Sequence, residues 1–343
     1  MHKSALSVES VESGLSSDLG NIVFDNLHPT QADSSREIEN GLNLKQKFIN
    51  PKFFYDTRGS ELFEQITSTL EYYPTRIERS ILENNAEAIA NCCGLNCVLI
   101  EPGSGSSEKV RLLLDQIEPS AYVPIDIAAE FLQRSAKKLA EEFPWLNVHA
   151  VCADFAVFGD VPERLPEGKR VIFYPGSTLG NMIPDEAQQF LRYLRGWLGH
   201  DGGALIGIDL HKSADILNLA YNDKQGVTAA FNINVLNNIN HLTNANFKTD
   251  NFEHYAFYNE EKQRIEMHLV SVLDHIVRLG DNAIAFSEGE SIHTENSYKY
   301  TLESFRELIE GAGFVIKSSW LDEDQLFSVH YLELDGRDIE NQT

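Results

Sequence analysis

From Leu95 onward, short unbroken apolar runs alternate with longer segments whose apolar residues recur every three or four positions, and the two periods predict strands and helices in turn. CVLIEPG (97–103) reads as a buried strand, SEKVRLLLDQI (107–117) as a helix, AYVPIDI (121–127) as a strand and AAEFLQRSAKKLAEEF (128–143) as an amphipathic helix. LNVHAVCADF (146–155) and RVIFYPG (170–176) follow as strands, PDEAQQFLRYLRGWL (184–198) as a helix opened by Pro184, and GGALIGIDL (202–210) as a strand. Such regular alternation predicts a parallel, doubly wound α/β sheet, because right-handed crossover helices then cover both of its faces.

The rhythm fails after Leu210, where residues 211–295 are rich in asparagine, as in NINVLNNINHLTNANF (232–247). It returns with a helix, LESFRELIEGAG (302–313), and two strands, FVIKSSWLD (314–322) and QLFSVHYLEL (325–334), a combination that predicts a last strand inserted antiparallel. The interruption predicts a second, substrate-binding lobe made of residues 21–75 and 211–295, with 76–210 and 296–343 forming the sheet domain. Residues 1–20 are Ser-rich and acidic, bury little, and are expected to form a disordered tail.

Composition narrows the partners. With 343 residues and 42% hydrophobic content the chain can bury a full core, while a net charge of -24 repels nucleic acid and anionic membranes and leaves small zwitterionic or cationic ligands. No apolar stretch approaches the ~20 residues of a membrane span, and the N-terminus has no apolar signal centre. A cytoplasmic monomer is expected. Cys92, Cys93, Cys97 and Cys152 have neither a second pair nor histidines at zinc-ligand spacing, so they read as reduced thiols; with no HExxH among the histidines, no metal is expected.

EPGSGSSEK (101–109) joins a strand to a helix through glycines, the setting of a nucleotide-like ligand. A dinucleotide loop would want glycine where Glu108 stands, and Lys109 does not have the spacing of a phosphate loop. A nucleoside with an amino-acid tail fits better, its carboxylate meeting Lys109 and the start of the next helix. Asp126, ending the second strand, is placed to accept ribose hydroxyls, and Asp154 and Phe155, ending the third, to meet adenine. Each has an ordinary alternative, since terminal Asp residues cap helices and glycine loops simply turn. Together at successive strand ends they describe an S-adenosylmethionine site on a class I methyltransferase sheet, a Rossmann-like fold.

FFYDTRGSELFEQIT, EYYPTRIERSIL, GSGSSEKVRLLLD, YPGSTLGN, AYNDKQGVTAAFNINVL, RIEMHL and TENSYKY resemble the histidine-specific N-methyltransferases that make hercynine on the way to ergothioneine, over about residues 40–330. The resemblance implies L-histidine as substrate, its α-amino nitrogen receiving three methyl groups. It implies that Tyr72 and Asn181 hold the amino group, Tyr221 the carboxylate, and Tyr55, Glu295 and Ser297 the imidazole, with Met267 as a wall. Tyr55, Tyr72 and Asn181 are its catalytic candidates. Gly103, Lys109, Asp126, Asp154 and Phe155 match cofactor positions, to which Tyr55 also contributes, and Gly176 lies beside the methyl-transfer point.

Physical chemistry allows these roles, because an amine attacking a sulfonium methyl needs alignment and loss of one proton rather than a metal or a covalent nucleophile. Blander roles remain for single residues: Tyr72 as a core aromatic, Asn181 as a turn residue, Glu295 and Ser297 as one polar face of a strand. Two other functions stay open, a methyltransferase for another amino acid such as a tryptophan derivative, and a non-catalytic S-adenosylmethionine sensor.

Overall fold

The computed structural model describes residues 21–27, 31–154 and 165–336, so the expected tail at 1–20 lies outside the described residues. The chain enters through strand β1 (Ile22–Asn26), helix α1 (Gln31–Leu42), the short strand β2 (Lys47–Phe48), a 3-10 turn at Pro51–Phe54, and helices α2 (Thr57–Thr67), α3 (Tyr73–Asn84) and α4 (Ala86–Cys93). The predicted alternation follows as β3 (Val98–Pro102), α5 (Arg111–Ile117), β4 (Ala121–Asp126), α6 (Ala129–Glu142), β5 (Val148–Cys152), β6 (Arg170–Tyr174), α7 (Pro184–Arg195) and β7 (Gly203–Asp209). Every residue of β3, β4 and β7 is buried. Helices on both faces leave such a strand no polar side, which is why these segments read as continuous apolar runs. Neighbours on β3 part accordingly: Ile100 packs with Phe190 and Trp197, and Leu99 with Leu114 and Leu139 on the other face.

Beyond β7 come α8 (Ala214–Ala220), α9 (Val227–Thr243), β8 (Phe252–Asn259), β9 (Arg264–Ser271), the hairpin β10 (His275–Leu279) and β11 (Asn282–Phe286), and β12 (Ser291–Tyr298). Helix α10 (Leu302–Glu310) and strands β13 (Phe314–Leu321) and β14 (Phe327–Leu334) complete the described chain. The large sheet has eight strands in the order β1-β5-β4-β3-β6-β7-β14-β13. β14 runs antiparallel between β7 and β13, the inserted strand that the sequence predicts. Because β3 lies between β4 and β6, the connections leaving β3 and β6 diverge and open a crevice at their carboxyl ends.

β2, β12, β9 and β8 form a separate four-stranded sheet. Its apolar face, with Ile265, Met267 and Leu269, shares a core with Leu62 and Ile66 of α2 and Phe231 and Val235 of α9. Two expected boundaries need correction. β1 pairs in parallel with β5, from Ile22 opposite Val148 to Asn26 opposite Cys152, so the start of 21–75 belongs to the large sheet. A short strand with an exposed Val23 carries too little periodicity to announce such a distant partner. The boundary at 295/296 falls inside β12, which stays in the small sheet to Tyr298. The helix expected from 107 starts instead at Arg111, because Gly103, Gly105 and Ser107 all hold positive φ and keep the chain in a loop. Among the described residues no helix is long and apolar enough to cross a membrane.

Candidate active site

The glycine loop is tied down over the end of β4: the N–H groups of Gly103 and Ser104 both donate to the Ile125 carbonyl, at 2.7 and 3.1 Å. Asp126 closes the loop from below, Oδ2 accepting from Gly105 N and Oδ1 from Ala128 N, each at 2.9 Å. Burial pushes its carboxyl above the usual range, against those backbone bonds. Lys109 sits in the loop rather than on α5, and its Nζ is 2.5 Å from Glu78 Oε2. Glu78 is 1% exposed on α3 and also accepts from Gly176 N with both oxygens. Gly176 holds φ +82°, and a Cβ there would stand 3.1 Å from Lys109 Nζ. One buried acid therefore joins the loops after β3 and β6, and sequence reasoning gave it no part. Asp154 is paired with Lys52 at 2.8 Å, which in turn meets Glu37 of α1 at 2.6 Å. Phe155 lies outside the described residues.

Tyr55, Tyr72, Tyr221, Met267, Glu295 and Ser297 gather on the other side of the crevice. Tyr72 is the N-cap residue of α3, and Tyr55 ends the 3-10 turn. The rings meet edge to face in a chain, Tyr55 on Phe63, Phe63 on Tyr72 and Tyr72 on Tyr221. Burial, reinforced by Glu295 for Tyr55 and by Tyr221 and then Glu295 for Tyr72, raises both hydroxyls well above the usual range. Asp126 adds a smaller push in the same direction at Tyr55. A cavity of about 20 Å³ is lined by Phe63, Tyr72, Tyr221, Phe231, Met267 and Glu295.

Glu295 faces the cavity because β12 carries a bulge. His293 pairs with His268 and Glu295 with Met267, leaving Thr294 as the extra residue. The bulge reverses the alternation and turns Glu295 and Ser297 inward. Glu295 is 8% exposed, and its carboxylate has no hydrogen-bond partner among the described residues. Burial raises it to about 7, opposed by Lys299. Ser297 is less free: its Oγ accepts from Tyr221 OH at 2.7 Å and from Lys299 Nζ at 2.7 Å. Lys299, fully buried, continues to Asp209 at 2.7 Å. Asp209 also takes Tyr73 OH and Lys212, so although burial alone would raise its carboxyl, Lys299 and Lys212 hold it low. Sequence reasoning missed Lys299; its alternation with Ser297 and Glu295 in TENSYKY was the available signal.

Asn181 ends the 3-10 turn Thr178–Asn181, which packs on β12, and its half-buried amide has no partner among the described residues. Gly180 permits that packing, since a Cβ would lie 2.8 Å from the Tyr298 carbonyl. The cysteines are free thiols. Among the described residues one cluster has metal-like spacing, Glu266, His268 and His293, whose ligand atoms lie within 4.8 Å of one another. Glu266 is bound by Arg264 at 2.6 Å and the two imidazoles lie stacked. Glu266 and His268 flank Met267 on β9 and so point away from the cavity.

Residues 34–334 match the family described as histidine-specific methyltransferase, SAM-dependent, SAM being S-adenosylmethionine. The chain belongs to this family. Histidine N-alpha-methyltransferase of Mycobacterium tuberculosis is 40% identical over 84% of this chain and 91% of that protein. The histidine N-alpha-methyltransferase of Mycolicibacterium smegmatis is 38% identical over 84% and 90%. Among solved structures, the CcbJ methyltransferase of Streptomyces caelestis is 14% identical, with a TM-score of 0.44 over 73% of this chain and 89% of that one. The residues of this SAM-dependent methyltransferase fit its cofactor. Each Asp126 oxygen is engaged by one backbone N–H and keeps a lone pair for a ribose hydroxyl. Lys109, already charge-balanced by Glu78, suits a zwitterionic tail.

Proposed function

We propose that the protein transfers three methyl groups from S-adenosylmethionine to the α-amino nitrogen of L-histidine, giving hercynine for ergothioneine biosynthesis. The observation that carries the choice of histidine is Glu295, a buried and unpaired carboxylate in a cavity whose lining also includes Met267, Thr228 and aromatic rings. A ligand with a ring N–H satisfies it, and a polar imidazole matches a buried carboxylate better than a largely apolar indole. The names of the similar mycobacterial proteins support the same reading.

Bound S-adenosylmethionine supplies a sulfonium methyl group to an attacking amine. Asp126 would hold its ribose, Lys109 and Gly103 its amino-acid tail, and Asp154 with Phe155 its adenine. Gly176, without a side chain, leaves room at the transfer point. Tyr72 and Asn181 accept N–H bonds from the amine and aim its lone pair. Burial keeps the Tyr72 hydroxyl protonated, so it orients the amine rather than removing its proton. Tyr221, Ser297 and Lys299 would hold the carboxylate, and Tyr55 with Glu295 the imidazole. These anchors are untouched by methylation, so the substrate keeps its alignment through all three rounds. In each round an N–C bond forms, the C–S bond breaks and the amine gives up one proton. The same reading places the enzyme in the cytoplasm as a monomer acting on small molecules.

Incubation with S-adenosylmethionine and single amino acids, followed by mass spectrometry, tests this. Histidine should gain up to three methyl groups. Methylation of tryptophan with histidine untouched would overturn the histidine assignment, and cofactor binding with no amino acid methylated would mark a sensor.

A further inference from the structure

Helix α9 is buried nearly all round and yet carries the asparagines of FNINVLNN. Burying an amide is costly unless every bond is made, so leucine would be the simpler choice at such positions. Each buried amide here binds backbone or side chains beside a residue of the substrate pocket. Asn238 Nδ2 donates to the Phe53 carbonyl at 2.7 Å, and Asn234 Nδ2 to Asp56 Oδ1 at 2.9 Å. Those two contacts bracket Tyr55. Asn232 Oδ1 accepts from Thr294 at 2.7 Å, at the bulge that turns Glu295 inward, and its Nδ2 donates to the His268 carbonyl next to Met267 at 2.9 Å. At about 100° per residue, Asn234 and Asn238 share one side of the helix and Asn232 lies on another.

We propose that Asn232, Asn234 and Asn238 are positioning residues that fix the gap between Tyr55 and the wall made by Glu295 and Met267, and so set the size of amino-acid side chain the enzyme accepts. The inference rests on the reading of this pocket as the imidazole site. Hydrogen bonds suit the task because they have a defined length and direction, whereas apolar contacts would let the turn and the bulged strand slide. His293 adds a clamp from the opposite face of the sheet, its Nε2 lying 3.0 Å from the Glu295 carbonyl.

Asn234→Leu and Asn238→Leu each remove one bond and keep the branched shape and heavy-atom count of the side chain, though methyl groups are bulkier than an amide. Asn232→Leu strands three partners, Thr294, the His268 carbonyl and His254 Nδ1, and could unfold the chain, so the first two carry the test. Histidine and S-adenosylhomocysteine affinities would be measured by calorimetry, with steady-state rates on histidine and tryptophan. Both variants should bind histidine about tenfold more weakly and raise KM more than they lower kcat. Their tryptophan-to-histidine rate ratio should rise, and S-adenosylhomocysteine affinity should stay within about twofold of the wild type. Unchanged histidine KM, or histidine and S-adenosylhomocysteine affinities falling together with melting temperature, would overturn the proposal. Failure of the wild type itself to bind histidine would instead overturn the reading of the pocket, and this inference with it.

Discussion

Replacing Glu295 with Gln should make the ligand-free protein more stable in mild alkali and a poorer binder of histidine. Burial raises the carboxyl from 4.5 to about 7, with Lys299 as the only opposing charge of note. Between those values the folded protein keeps a proton that the unfolded chain has released. The stability tied to the neutral acid is therefore fully present below 4.5 and is lost as pH rises through about 7. The difference, 7 − 4.5 = 2.5, at about 1.36 kcal/mol per pH unit is about 3 kcal/mol. Gln keeps the shape and cannot ionise. Urea unfolding of both proteins at about pH 4 and about pH 8 should show the variant gaining about 3 kcal/mol relative to wild type between the two conditions. Glu101, which burial raises to about 8, is present in both proteins and cancels. Saturating histidine should narrow or reverse the order, because a charge-assisted bond from the imidazole to Glu295 contributes roughly 1.5–3 kcal/mol that the variant largely forgoes. Equal stability of the two proteins at both pH values, or an advantage for the variant that does not change with pH, would refute the picture of an unpaired buried acid.

Asp126→Ala should weaken S-adenosylmethionine binding by about 1.5–3 kcal/mol while leaving histidine affinity nearly intact, and calorimetry showing full cofactor affinity would remove Asp126 from the site. Gly207→Ala should lower both stability and cofactor affinity, because the new Cβ would stand 2.0 Å from Glu78 Oε1 and drive that acid off Gly176 and Lys109. Overpacking of this kind costs about 1–3 kcal/mol, and a variant with wild-type melting and cofactor binding would show that Glu78 does not occupy that space.

The sequence by itself determined the large sheet and the ends of its strands, because apolar runs and helical periods are local and each parallel strand must be covered on both faces. Gly103, Asp126 and Asp154 followed from those ends, whereas Gly176 came with the resemblance. The resemblance supplied Tyr55, Tyr72, Tyr221, Met267 and Glu295, and the fold brings them together. Only the tertiary structure decided how they are supported. Glu78 reaches Gly176 across 98 residues and Lys52 reaches Asp154 across 102, and no periodicity encodes a pair that far apart. β1 found its place beside β5 for the same reason. The alternation of Glu295 and Ser297 was legible, but which face they occupy was not. That depends on the extra residue at Thr294, which sequence alternation would place in phase with its neighbours and which the pairing with β9 and the bond to Asn232 push out of phase.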